Sequence, residues 1–260
     1  MKRFLFAFLC LSISASVFSQ TKMFITTTDG TDSLWLKDIK SITFKSYYVL
    51  SIPNDSLVAW FPFNGTLNDS SGHHSNGTLT DGVTFGEGHS SNSGKSIVFN
   101  GSTGFVTIPN STKLQSMSKS LTISYWINIE EWTKSSYAPV FAKSNSADQG
   151  MYSVENMKAG TSNLWIGNSY YNFSTSSISL KQWNHFCFTW DGAVVTYYLN
   201  GVIINSAPFV KSIVVDDLPL VIGKHTPGGI EFLNGKIDDL ILYSRAINDS
   251  EVLKLFNLGK

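Results

Sequence analysis

The sequence predicts an all-β fold, a sandwich of two antiparallel sheets. Runs of alternating apolar and polar residues recur from Leu57 onward, and turn residues separate them about every ten positions, a spacing typical of such sandwiches. Two hairpin signals, Asp191-Gly192 and Asn200-Gly201, supply residues that tolerate the positive φ angles of tight turns. Helical periodicity is almost absent. Charged residues make up only 15% of the 260 residues, which also fits a β protein with many turns.

The first 19 residues have the pattern of a cleaved secretory signal peptide. Lys2 and Arg3 precede an apolar stretch from Phe4 to Val17, and short residues follow at the positions that a signal peptidase reads. The apolar stretch is shorter than the ~20 residues that a membrane-spanning helix needs. We therefore expect no membrane insertion of the mature chain, and a secreted, cell-surface or periplasmic location.

Residues 20–50 are predicted to form a small N-terminal β arm and its linker. The segment from Met23 to Thr27 has the composition of a strand, and Asp29-Gly30 predicts a turn. A segment of this length cannot bury a hydrophobic core of its own. It either docks on the sandwich or becomes ordered on a partner.

Residues 53–260 are predicted to form the sandwich, and one short helix is predicted at its end. Asn248 and Glu251 have the spacing of a capping box, and Val252, Leu253 and Phe256 follow on one apolar face. We expect this helix to cover one end of the sandwich. The clearest predicted strands are Ser96–Phe99, Phe105–Ile108, Leu121–Ile127, Trp183–Trp190, Val194–Leu199 and Val202–Ile204.

Charge and cysteine content exclude several classes of partner and of stabilisation. Lys plus Arg equals Asp plus Glu at 19 each, and no basic stripe interrupts this balance, so no nucleic-acid partner is expected. Cys10 lies in the predicted signal peptide, which leaves Cys187 without an intrachain disulfide partner. Core burial or a metal ion must therefore stabilise the mature chain.

Several motifs occur in a fixed order along the predicted sandwich. They are Leu57–Gly65, Asn68–Gly77, Ile97–Gly101, Trp183–Gly192, Tyr198–Gly201 and Gly235–Ile247. Together they resemble the laminin-G-like jelly-roll domains of the concanavalin A-like lectin/glucanase superfamily. The resemblance implies a jelly roll whose first and last strands meet, and a module that binds glycans or proteins without catalysis. The N-terminal arm resembles a short module of exported Bacteroidetes-type proteins.

The same resemblance implies a structural calcium ion where the first and last strands meet. By strand alternation Asp238 shares a face with Leu240 and Leu242, and a carboxylate on a core face needs a cation or several amide donors. Calcium binds carboxylate and carbonyl oxygens, so Asp238 and Asp69 are the candidate ligands. The alternative is that loop amides or Arg245 satisfy the Asp238 carboxylate.

No pair of acids suited to glycoside hydrolysis is evident. A retaining glycosidase needs two carboxyl groups ~5 Å apart, and an inverting one needs them somewhat further apart. Adjacent acids on a strand are expected to point to opposite faces. The acid pairs of this chain are all adjacent: Glu130-Glu131, Asp216-Asp217 and Asp238-Asp239.

Nucleophilic catalysis is not indicated either. Cys187 and His185 are two residues apart on a predicted strand and could share a face, but no third orienting group accompanies them. A free thiol in such a strand is usually inert packing.

Ligand binding is predicted for the middle segment, 130–180, which matches none of the motifs. Sugar rings lie on aromatic faces while neighbouring amides and acids bond the hydroxyls. The candidate ligand-binding residues are Trp132, Tyr152, Asn163, Trp165, Tyr170 and Tyr171. They predict a glycan-binding module; a protein-interaction or adhesion domain is the alternative, and a glycoside hydrolase is less favoured.

Overall fold

The computed structural model describes the backbone of residues 22–27 and 30–35, and residues 52–258 apart from 91–93, 135, 147–148, 159, 175–177 and 226–228. By its contacts the chain divides into two compact units, Met1–Val49 and Leu50–Lys260. The predicted signal peptide lies outside the described residues. No helix in the described part of the chain is long and apolar enough to span a membrane.

The first unit contains one β-hairpin. Strands β1 (Lys22–Thr27) and β2 (Gly30–Trp35) pair antiparallel, with Thr27 opposite Gly30 at the turn. The strand predicted for the N-terminal arm is thus present, and residue 29 of the predicted turn lies outside the described residues. Docking of the arm on the sandwich stays a prediction.

The second unit is a sandwich of two antiparallel sheets, as the alternating pattern predicted. One sheet has seven strands in the order β12-β11-β10-β9-β16-β7-β4. Its strands are β4 (Thr78–Leu79), β7 (Val106–Ile108), β9 (Tyr137–Ser146), β10 (Gln149–Met157), β11 (Thr161–Ile166), β12 (Ser169–Ser174) and β16 (Leu220–Ile222). The middle segment that matched no motif provides the four strands β9 to β12, which pair in sequence order.

The other sheet has eight strands. Seven follow the order β15-β14-β13-β8-β17-β6-β5, and β3 pairs with β17 as well. Their bounds are β3 (Leu57–Phe61), β5 (Val83–Glu87), β6 (Lys95–Asn100), β8 (Leu121–Glu131), β13 (Trp183–Trp190), β14 (Val194–Leu199), β15 (Val202–Pro208) and β17 (Asn234–Tyr243).

The first and last strands of the sandwich meet, as the motifs predicted. One edge of β17 pairs with β8 along most of its length. On the other edge, Asn234–Ile237 pair with β6 and Leu240–Tyr243 pair with β3. The last strand therefore joins three strands that come from the beginning and the middle of the sandwich.

The predicted hairpin at Asn200-Gly201 joins β14 and β15. Both turn residues have positive φ, 52° and 80°, as a two-residue turn with the twist of a hairpin requires. A side chain on Gly201 would collide with the Phe256 ring, since an added Cβ would lie 2.8 Å from it. The turn and the C-terminal helix are therefore in close contact.

The main core fills the space between the two sheets. Apolar side chains from inward-facing positions of both sheets make one continuous cluster, in which Phe61, Phe99, Ile123, Phe186 and Leu242 are at most 1% exposed. Burial of this kind contributes about 25 cal/mol per Å² of apolar surface removed from water. With no disulfide available to Cys187, the core is the main source of stability.

The C-terminal helix covers a face of the sandwich, and not an end as predicted. Helix α2 (Asp249–Phe256) begins with the predicted capping box of Asn248 and Glu251. Its buried residues Val252 and Leu255 belong to a second apolar cluster on the outer side of the eight-stranded sheet. The amphipathic pattern predicted the helix itself. The surface on which it packs is set by the apolar residues that alternation places on the outer side of the eight-stranded sheet. A shorter helix, α1 (Thr112–Gln115), precedes β8.

A buried ion pair links β9 to the connection between β15 and β16. Lys143 on β9 is fully buried, and its Nζ lies 2.9 Å from Asp216 Oδ1 in the connection. The same ammonium group also bonds the backbone carbonyl of Leu218. A buried ammonium group is tolerable only with such partners.

We expect Asp216→Asn to lower the free energy of unfolding by about 3 kcal/mol, because it leaves the buried ammonium group without its countercharge. Urea unfolding followed by tryptophan fluorescence measures the change. The matched control is Asp217→Asn, since the Asp217 carboxylate accepts bonds at the exposed surface. It should cost less than about 1 kcal/mol. Equal losses in the two variants would contradict the role of the buried pair.

Cys187 is fully buried in the second apolar cluster, and burial raises the pKa of its thiol far above the usual range. Because the thiolate is the reactive form, we expect iodoacetamide to label the native protein at least about a hundredfold more slowly than the urea-unfolded chain at the same pH. Mass spectrometry over time measures both rates. Equal rates would show that the β13 thiol is accessible.

Candidate functional site

The outer face of the seven-stranded sheet carries aromatic and polar side chains on neighbouring strands. In β11, Leu164 and Ile166 belong to the core, so strand alternation directs Asn163 and Trp165 outward. Tyr170 on β12 lies opposite Trp165 in the register and is 51% exposed. The two rings have centroids 4.6 Å apart and are tilted by 42°. They form an aromatic pair open to solvent.

A carboxylate on β10 holds the polar groups around this pair. Glu155 Oε1 accepts hydrogen bonds from Asn163 Nδ2 at 2.9 Å and from Trp165 Nε1 at 3.3 Å. Asn163 Oδ1 accepts in turn from Asn172 Nδ2 at 2.6 Å. On the other side, His225 Nε2 lies 3.0 Å from Glu155 Oε2. Five side chains from four segments are thereby fixed in one arrangement.

Glu155 is ionised at neutral pH although it is only 4% exposed. Burial by itself opposes ionisation. The contact with His225 and the hydrogen bonds from Asn163 and Trp165 outweigh that cost, so the pKa of Glu155 lies below its ordinary value. The polar network therefore contains an ionised carboxylate.

The face extends across four strands. Tyr137 on β9 stacks on the His225 ring, with centroids 5.9 Å apart and planes 17° from parallel. Since neighbouring strands lie about 4.8 Å apart, the four strands β9 to β12 span roughly 14 Å across the sheet. By the register, Tyr137 and the Trp165–Tyr170 pair also lie at different positions along these strands. The turn between β11 and β12 also borders a pocket of about 440 Å³, which Gly167, Asn168 and Ser212 help to line. We call the rings of Tyr137, Trp165 and Tyr170, together with the polar network around Glu155, the aromatic face.

The structure brings three of the predicted ligand-binding residues together and separates the other three. Trp165, Tyr170 and Asn163 lie on the aromatic face. Tyr152 does not: it is 1% exposed in the core, and its hydroxyl donates to the Leu114 carbonyl.

Tyr171 and Trp132 are also placed differently from the prediction, because both pack against the main core. Tyr171 is next to Tyr170 on β12, and strand alternation sends the two rings to opposite sides of the sheet. Glu155 and His225 were not among the predicted site residues. For Glu155 a signal existed, since alternation with the apolar Val154 places it outward; His225 is 70 positions away from its partner.

The two acids of β17 are arranged differently from the prediction. Asp239 has a positive φ of 43°, and the register with β8 shifts between Asp238 and Ile241. This β-bulge reverses the alternation, so Asp238 does not share the core face of Leu240 and Leu242. The bulge lies where β17 changes its partner from β6 to β3.

The bulge brings Asp238 and Asp239 together, contrary to the expectation that adjacent acids diverge. His89 Nδ1 lies 2.9 Å from Asp238 Oδ2 and 3.9 Å from Asp239 Oδ2. The His89 ring also stacks on Trp126 at 4.3 Å. Burial and the neighbouring Asp238 carboxylate raise the pKa of Asp239 to about 7, although a hydrogen bond from Trp60 and the proximity of His89 favour its ionised form.

N–H donors surround both predicted calcium ligands. Asp238 accepts from the backbone amides of His89 and Asp239 as well as contacting the imidazole. Asp69 accepts from three backbone amides, that of Trp60 on β3 and those of Ser71 and Ser75 in the following loop. This is the alternative in which amides satisfy the carboxylates. Arg245 contributes elsewhere, since it pairs with Glu251 and Asp55.

The described residues contain one group with metal-ligand geometry. Donor atoms of His89, Asp238 and Asp239 lie within 4.8 Å of one another, and Asp69 is not among them. Calcium prefers six to eight oxygen ligands. An imidazole nitrogen, and carboxylates that already accept hydrogen bonds from N–H groups, do not fit this preference well. Calcium binding at Asp238 and Asp69 stays a prediction from the motifs.

Comparison with solved structures shows similar sandwiches. Domain 4 of AbnA, a GH43 extracellular arabinanase from Geobacillus stearothermophilus solved in complex with arabinotriose, is 24% identical with a TM-score of 0.62, over 78% of this chain and 98% of that chain. The binding domain of botulinum neurotoxin DC, solved in complex with rat synaptotagmin II, is 18% identical with a TM-score of 0.63. The match covers 80% of this chain and 52% of that chain. A structure of botulinum neurotoxin type C, whose cell entry depends upon interaction with two ganglioside molecules, is 18% identical with a TM-score of 0.62. The match covers 80% of this chain and 52% of that chain.

At these identities the likeness shows the fold alone, and the chain spans about half the length of the toxin chains. No curated protein matches the sequence. Residues 100–253, more than half of the chain, match a laminin-G family. Together with the two-sheet sandwich, this match shows that the chain belongs to the concanavalin A-like lectin/glucanases superfamily.

Proposed function

We propose that this chain is a non-catalytic carbohydrate-binding module, and that a glycan binds on the aromatic face. The observation that carries the proposal is the solvent-open pair of Trp165 and Tyr170 beside a fixed polar network. Aromatic rings accept the C–H faces of sugars, and convergent polar groups bond the hydroxyls. The pattern of residues 1–19 supports an exported location for the module.

The polar groups of the aromatic face are preorganised for this role. Asn163 and Trp165 are held by Glu155, so a ligand does not have to order them. Asn172 is exposed and lies two residues after Tyr170 on the same strand, so both side chains are on the same side of the sheet. Binding to side chains that are already fixed loses less conformational entropy, which favours affinity.

Relatives of the same fold support the glycan class. The arabinanase domain was solved with arabinotriose, and the toxin of type C interacts with gangliosides. These ligands differ widely, so they support the class of ligand and do not identify the sugar.

Hydrolysis is disfavoured by the place of the convergent acids. Asp238 is fully buried and Asp239 is 7% exposed, and both lie against His89. A glycosidic bond cannot reach carboxylates in that position, whereas a glycosidase needs its two acids on either side of the bond. On the aromatic face, Glu155 has its carboxylate oxygens committed to neighbouring side chains.

A protein-interaction domain is the second candidate, because a different surface favours it. Edge strand β15 exposes Val202, Ile203 and Ile204, which are 63%, 47% and 44% exposed. Exposed apolar edge strands can pair with another chain. The botulinum neurotoxin DC domain was solved with a protein, rat synaptotagmin II.

We expect Trp165→Ala to weaken glycan binding by at least about tenfold, because truncation of an aromatic anchor in an interface typically costs 1–2 kcal/mol or more. A glycan array on the protein from residue 20 onward selects the ligand, and isothermal titration calorimetry measures the affinity. Thermal melting shows that the variant remains folded.

The matched control for Trp165→Ala is Val202→Ala, which shortens an exposed side chain on the other sheet and should leave glycan affinity unchanged. A negative glycan array contradicts the proposal. Loss of binding to a protein partner on Val202→Asp, with no glycan bound, would instead favour the second candidate.

A further inference from the structure

The aromatic face contains a nearly buried carboxylate, that of Glu155. This carboxylate accepts a hydrogen bond from the indole N–H of Trp165, so it lies at the edge of the ring on which a ligand would stack. Interactions between charges are stronger in such a setting than in bulk water. The charge of Glu155 is therefore part of what a ligand encounters.

Tyr137 provides a second indication of this field. Burial raises the pKa of its hydroxyl first, and the charges of Glu155 and Glu231 raise it further. Two carboxylates thus act at the same end of the face. The ion pairs described for lysine and arginine lie elsewhere: Lys143 with Asp216, Lys181 with Glu130, and Arg245 with Glu251 and Asp55.

We infer that the aromatic face selects uncharged sugars over acidic ones, and that Glu155 is the residue that determines this specificity. This inference rests on the proposed glycan-binding function. A sugar carboxylate on the Trp165–Tyr170 pair would lie close to the Glu155 carboxylate, and the two like charges would repel each other. A neutral sugar has no such penalty and can use the exposed edges of the polar network.

His225 does not remove this selection. Its imidazole is directed at Glu155 Oε2, and its side chain is 24% exposed. The ring is therefore engaged in stabilising the carboxylate and in stacking on Tyr137. A sugar carboxylate would have to compete with Glu155 for the same group.

The experiment compares neutral trisaccharides with acidic counterparts. The probes are arabinotriose, cellotriose and galactotriose, each also prepared with its primary hydroxyls oxidised to carboxylates. We expect a preference on the order of tenfold for the neutral form, from like charges about 7 Å apart in a partly screened setting. Titration calorimetry gives the ratio of affinities for each pair.

Glu155→Gln keeps the size of the side chain and one acceptor oxygen while it removes the charge. In this variant the ratio of the affinities for the neutral and the acidic probe should fall to about twofold or less. The matched control is Glu87→Gln, an exposed acid on β5 of the other sheet, which should leave the ratio unchanged. Circular dichroism and thermal melting verify the fold of both variants.

A measurement on the unaltered protein does not depend on the folding of a variant. Raising the salt concentration from about 0.01 M to about 1 M shortens the screening length from ~30 Å to ~3 Å. The preference for the neutral probe should therefore narrow severalfold.

Equal affinity for neutral and acidic probes overturns the selection and leaves glycan binding standing. A preference that Glu155→Gln and salt both leave unchanged shows that shape, and not charge, is responsible, which also overturns the inference. If neither set of probes binds, the proposed function fails together with the inference.

Discussion

The sandwich depends on the pairing of β17 with three other strands. Its N-terminal half pairs with β6, its C-terminal half pairs with β3, and β8 lies along its other edge. Its side chains Ile237, Leu240 and Leu242 are fully buried in the main core. Without β17 the eight-stranded sheet would separate into pieces, and the seven-stranded sheet would lose the surface against which it packs. The aromatic face is on the far side of that second sheet, so its geometry depends on the same strand.

A bulge makes this triple pairing possible. At Asp239 the chain takes a positive φ, and the edge of β17 passes there from β6 to β3. The change places the two carboxyl groups side by side near His89. Backbone N–H groups and the imidazole bond Asp238, and the indole N–H of Trp60 bonds Asp239. The local backbone therefore converts a sequence of two adjacent acids into one buried polar cluster. A calcium ion bound at Asp238 would have to enter a position that these donors already satisfy.

The predictable parts of the fold were those in which alternation and turn chemistry agree. Strands β8, β13 and β14 have clean alternation, and Asn200-Gly201 fixed the hairpin that follows. The face of Asp238 was not predictable, because a bulge shifts the period by one residue and leaves no mark in composition. Tyr152, Tyr170 and Tyr171 look alike in the sequence, and only the register separates the two core rings from the exposed one.

The candidate site was predictable in its aromatic part alone. Trp165, Tyr170 and Asn163 lie within a short stretch, and local alternation places them together. Glu155 and His225 meet through the packing of β10 beside the segment that follows β16, which is a tertiary contact. A polar network of this kind depends on strand order, and strand order in this region matches no motif in the sequence.

The place of β17 also affects how the protein comes to be folded. Strand β17 follows the other described strands of its sheet in the sequence but occupies the middle of that sheet, so residues up to 243 must be synthesised before the sheet can close. Contacts between residues almost 180 positions apart raise the contact order of the fold, which slows its folding. Until that point the nascent chain exposes apolar strands that are vulnerable to aggregation.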